Sequence, residues 1–179
     1  YYLLFSPFLG MSPAGYHLFD FTLDFGVVIG AYFMVFRLTK NRLIAFFAAL
    51  FFLIHPLNAE PVFWISSTSI LLANFFYLWG FLSYILWRQK SKSWQIVFYL
   101  FAFLAFLLGL SSHELAISFP FILLAYDFLF LPKVKIKNWR KRLIEYLPFV
   151  LLTGIYLWLR NGVAGAHGLS GDYNYSWRN

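Results

Sequence analysis

Long apolar runs separated by short polar breaks dominate the chain, and they divide it into six predicted helices at about 16–36, 43–55, 65–87, 94–110, 115–131 and 143–159. Most approach the ~20 residues that cross a hydrocarbon core. The second is shorter, because Phe51-Phe52-Leu53-Ile54 runs straight into His55-Pro56. A proline withdraws an N–H donor and disfavours helix in the residue before it, so this helix is expected to stop at the membrane surface or to be re-entrant. The predicted fold is all-α, a polytopic transmembrane helical bundle in one domain over residues 1–179.

Composition excludes the soluble alternative. Of 179 residues 61% are hydrophobic and only 12% are charged, whereas soluble domains carry about 25% charged residues. With no cysteine in the chain, a disulfide framework and a thiolate metal site are both ruled out. The sequence opens on Tyr1 with no basic-apolar-small leader, the pattern expected for the interior of a longer membrane domain. Gly162, Gly165, Gly168 and Gly171 punctuate residues 160–179, which are expected to begin an external loop.

The net charge of +7 is distributed unevenly. Arg37, Lys40 and Arg42 follow the first helix, Arg88, Lys90 and Lys92 the third, and Lys133, Lys135, Lys137, Arg140, Lys141 and Arg142 the fifth. These are twelve of the fourteen basic residues, and the alternate connections contain none. By the positive-inside rule each odd-numbered helix ends in the cytoplasm, and both chain ends lie outside. Flanked by two spans, the 133–142 run is expected to anchor to inner-leaflet lipid, and no nucleic-acid partner is expected.

This orientation sends most of the scarce polar chemistry to the other side. His17, His55, His113 and His167 map to the outer half, as do Asp20, Asp24, Glu60, Glu114 and Asp172; Asp127 and Glu145 lie near the basic face, where pairing with lysine or arginine is expected. His17, Asp20 and Asp24 share one helix face. Asp20 lies nearer the interface, where hydration suffices. Asp24 sits a turn deeper, and carboxylates at membrane depth need a partner, a bundle interior or a wet cavity. It is either a proton-handling or ligand-binding acid or a hydrogen-bonded packing acid. Two outer turns each supply a histidine and a glutamate, His55 with Glu60 and His113 with Glu114, suited to general acid–base work. Neither pair has the i, i+4 spacing of specific metal motifs, so no ligands are assigned and a divalent metal stays an open alternative. The run Ser66-Ser67-Thr68-Ser69 is expected to cap the third helix.

The two outer turns also carry a family resemblance. FFLIHPLNAEPV (51–62), followed by Trp64-Ile65 and Leu71-Leu72-Ala73, resembles the HPxxxExV segment of GT-C class membrane glycosyltransferases, nearest to mannosyltransferase-like proteins with C-terminal tetratricopeptide repeats. SSHELAISFPFILLAYD (111–127) is similar to that group's SKE…P…LLLYD segment, Pro13 to Leu18 to its PxGYH helix entry, and Tyr156 to Arg160 to its YLxLR exit. The resemblance implies a multi-pass protein, expected in the bacterial inner membrane, that passes sugar from a polyprenyl-phosphate donor to a protein or glycan on the outer face. No catalytic residue is assigned; the candidates are Glu60, Glu114 and Asp24, and His55, His113, Arg160 and His17 are the candidates for substrate binding. The class carries its base in the first outer loop, yet residues 1–15 contain no acid. Ser-Ser-Thr-Ser replaces the group's basic GRxDLL-like stretch, and His113 replaces the lysine of SKE. A non-catalytic subunit of a larger membrane complex, keeping the fold without the chemistry, is the alternative.

Overall fold

The computed structural model describes residues 13–56, 58, 67–89, 92–130 and 139–166. Its elements are helical: α1 (Pro13–Thr39), α2 (Arg42–Ile54), α3 (Thr68–Gln89), α4 (Lys92–Ser112), a 3-10 helix (Glu114–Ser118), α5 (Phe119–Phe130) and α6 (Trp139–Ala166). All six predicted helices are present. Among the described residues, four stretches, Ala14–Thr39, Thr68–Gln89, Trp94–Ser112 and Arg142–Gly162, are long and apolar enough to cross a membrane. At 13 and 12 residues, α2 and α5 fall short of that length.

Local chemistry sets the ends. The α1–α2 turn is tight because Lys40 takes a left-handed conformation, φ 58°. The Asn41 carboxamide then accepts from the N–H groups of Leu43 and Ile44 at 2.9 and 3.3 Å, capping α2. At its other end α2 stops where expected: His55 turns extended, ψ 127°, ahead of Pro56. The fifth predicted helix is split. Proline at position 120 has no N–H for the carbonyl of Ala116, and the Phe119 N–H bonds that carbonyl instead, which winds residues 114–118 as a 3-10 turn. The sixth helix runs past its predicted end at 159 to Ala166, so residues 160–166 are helical where an external loop was expected. Isolated glycines such as Gly162 cost a helix only about 1 kcal/mol each and do not stop it.

Glycine lets the helices approach closely. A Cβ on Gly26 would lie 2.6 Å from the Phe75 ring, and one on Gly80 3.0 Å from Ala105 and 3.2 Å from Phe119. Trp79 donates its indole N–H to the Gly26 carbonyl at 3.1 Å, fastening α1 to α3. Tyr84, Phe106, Phe119 and Phe149, nearly solvent-free, bring α3, α4, α5 and α6 into one aromatic core. Contact order along each pair gives the helix directions. Asp20 meets Thr68 and Gly26 meets Trp79, so α1 and α3 are parallel; Tyr77 with Ser118 and Tyr84 with Asp127 make α5 parallel to them. Trp87 on Tyr99 and Gly80 on Ala105 make α4 antiparallel to α3, and Glu114 with Arg160 and Asp127 with Arg142 make α6 antiparallel to α5. The C-terminal ends of α1, α3 and α5, where Arg37, Arg88 and Asp127 lie, therefore share one end of the bundle. The side facing lipid is apolar, with Phe47, Phe51, Phe121, Ile144 and Trp158 among the exposed residues.

Candidate functional site: the two polar ends of the bundle

One end gathers His17, Asp20, Thr68, His113, Glu114 and Arg160. Asp20 is fully buried; one carboxylate oxygen accepts from the Thr68 hydroxyl at 2.7 Å and the other has no hydrogen-bond partner among the described residues. The expectation that hydration suffices for Asp20 is thereby corrected: the close α1–α3 approach at Gly26 seals it between the helices. Thr68, from the run expected to cap the third helix, is the first residue of α3, and its hydroxyl donates to Asp20. Asp24, one turn deeper on α1, is half-buried.

Glu114 opens the 3-10 helix and forms an ion pair with Arg160 of α6, both side chains about half exposed, at 48% and 49%. The carboxylate and the guanidinium that the sequence offered separately as a catalytic and a substrate-binding candidate are thus neighbours. His113 caps the 3-10 helix, its Nδ1 accepting from the Leu115 N–H at 3.3 Å. His55 sits edge-on to Phe51 at 5.5 Å beyond the end of α2, where the Asn58 carboxamide returns to the Phe52 carbonyl at 2.6 Å. His17 lies on α1 half-buried, on the same helix face as Asp24. Glu60, His167 and Asp172 lie outside the described residues. Among the described residues, no group of three or more His, Asp or Glu comes close enough to hold a metal ion.

The opposite end holds a closed charge network. Arg88 at the end of α3 reaches Asp127 of α5 at 2.5 Å and Glu145 of α6 at 2.7 Å. Arg142 adds a contact to Asp127 at 3.4 Å, and the hydroxyls of Tyr84 and Tyr146 donate to the same carboxylate. The Arg88 guanidinium also lies over the Trp87 ring, 4.1 Å from its centroid. Pairing of Asp127 and Glu145 with basic residues was legible in the sequence. The tyrosine hydroxyls were not, although an acid in an apolar helix signals that some donors must converge on it.

No protein-family model, curated protein or solved structure matches this chain.

Proposed function

We propose that this chain belongs to a glycosyltransferase-like membrane protein that moves sugar from a polyprenyl-phosphate donor to a protein or glycan acceptor at the Glu114–Arg160 end. The single observation that supports this reading most is that ion pair. A half-exposed pair is held weakly, by about 1 kcal/mol or less, so a donor phosphate competes for the guanidinium through two parallel N–H···O bonds. Displaced from Arg160, Glu114 becomes a free carboxylate beside the bound phosphate. It then takes the acceptor hydroxyl's proton as the acceptor oxygen bonds to the sugar C1 and the C1–O bond to phosphate breaks. Arg160 holds the negative charge that develops on the departing phosphate. Asp24, half-buried on α1, is the alternative base. The alternation of basic connections supports an outer position for this end.

Membranes containing the full-length protein, supplied with a polyprenyl-phosphate sugar and acceptor, test the assignment. Glu114→Gln and Arg160→Ala are each expected to lower transfer by about a hundredfold, in the range of general acid–base contributions. Transfer at the wild-type rate in both variants overturns it.

One observation favours the second reading, a non-catalytic subunit. Only 11% of the apolar window of α6 is buried within the bundle. Val150, Leu151, Ile155 and Trp158 stand exposed along it, a face suited to a helix of another membrane protein. Stoichiometric co-purification with a complex lacking sugar transfer would establish that reading.

A further inference from the structure

Toward the basic end, α1, α3 and α5 leave between them an apolar cleft of about 310 Å³. Met34 and Leu38 line it from α1, Tyr77, Leu78 and Phe81 from α3, and α5 contributes a face that runs from Ile122 to Phe130. The two tyrosine hydroxyls among these residues are engaged: Tyr77 pairs with Ser118 at 3.2 Å, and Tyr126 accepts from the Gln89 carboxamide at 3.5 Å. Hydrocarbon and ring carbon remain to line the cleft. Leu129 and Phe130, 70% and 52% exposed, leave its rim open to lipid.

The dimensions choose between occupants. From Ile122 to Phe130 the helical rise amounts to about 12 Å, close to the ~15 Å of hydrocarbon in one leaflet. A partner's spanning helix, about 10 Å across and crossing both leaflets, exceeds the cleft in volume and in length. A single acyl chain, reaching from one interface to the bilayer midplane, has the right span. Charge then chooses the headgroup. Arg37 follows Met34 by three residues and adjoins Leu38, so it shares their side of α1, and it is partly exposed at the basic end. Lys40 and Arg42, both exposed, come next in the turn to α2. No Asp or Glu occurs between Asp24 and Glu60, and the acids described at this end of the bundle, Asp127 and Glu145, are held by Arg88 and Arg142. Arg37, Lys40 and Arg42 thus form a local excess of positive charge. We infer that this cleft binds one acyl chain of an anionic phospholipid from the leaflet at the basic end, with the lipid phosphate on Arg37. A zwitterionic headgroup would bring its own cation to the same three basic residues.

Full-length protein purified in detergent and titrated with phosphatidylglycerol, phosphatidylethanolamine or phosphatidylcholine of matched chains, with bound lipid counted by native mass spectrometry, tests the inference. One phosphatidylglycerol is expected to be retained about tenfold better than either competitor, as one charge-assisted hydrogen bond implies. Arg37→Gln should lower that preference severalfold. Ala125→Trp fills the cleft from an exposed position and leaves every basic residue in place, so it separates a seated lipid from general attraction to a basic surface. It should abolish retention of that one lipid, and phosphatidylglycerol should raise the unfolding temperature of the wild type but not of this variant. Equal retention of the three lipids by the wild type, or a preference that survives Ala125→Trp undiminished, overturns the inference.

Discussion

Arg88 serves three helices at once, holding Asp127 of α5 and Glu145 of α6 from the last turn of α3 while only 11% exposed. Its removal leaves Asp127, 5% exposed, with two tyrosine hydroxyls and only the more distant Arg142 guanidinium to match its charge. Arg88→Met is therefore expected to destabilise the bundle by about 3–5 kcal/mol, seen as a lowered unfolding temperature in detergent. Arg88→Lys should fall between, since one ammonium cannot reproduce the bidentate fork. The Glu114–Arg160 pair makes the opposite prediction. Nearly half exposed and screened, it should contribute less than about 1 kcal/mol, so Glu114→Gln should leave the unfolding temperature nearly unchanged while sugar transfer falls. Thermal unfolding alongside the transfer assay separates the two kinds of residue. At this scale the sequence showed which acids need partners. Which of twelve clustered bases would supply them depended on the helix ends meeting in space.

Helix packing turns on a few positions without side chains. A Cβ at Gly80 already crowds Ala105 and Phe119, so Gly80→Leu must push α4 and α5 away from α3. A loss of about 1–3 kcal/mol is expected from such overpacking, measured by thermal unfolding. Gly154 supplies the control: nothing lies within 4 Å of a Cβ there, and Gly154→Leu should be tolerated. The sequence distinguished these glycines poorly, because both lie in apolar helices. The end of α2 at His55-Pro56 was legible, since proline acts on its immediate neighbours. The 3-10 turn at Glu114–Ser118 was not, although Pro120 signalled a disturbance there. How the freed Ala116 carbonyl would be satisfied depended on the packing of that turn against α3 and α4.

Across the whole molecule, parallel odd-numbered helices and antiparallel α4 and α6 agree with the alternation of basic connections. The absence of native cysteine makes the membrane orientation directly measurable. Single cysteines at Ser112 and Asn161 should react with an impermeant maleimide from outside intact cells, and cysteines at Lys40 and Gln89 only after permeabilisation. Labelling of all four from one side would overturn the topology. Hydropathy and the order of charges were enough to determine an all-helical, lipid-embedded chain with chemistry divided between two ends, because transfer to lipid acts on each segment nearly independently. Only the tertiary structure decided that Asp20 is sealed against Thr68, that Glu114 finds Arg160, and that Arg88 joins Asp127 to Glu145. Those partners lie far apart along the chain, and their meeting is fixed by helix direction, register and the close approaches that glycine permits.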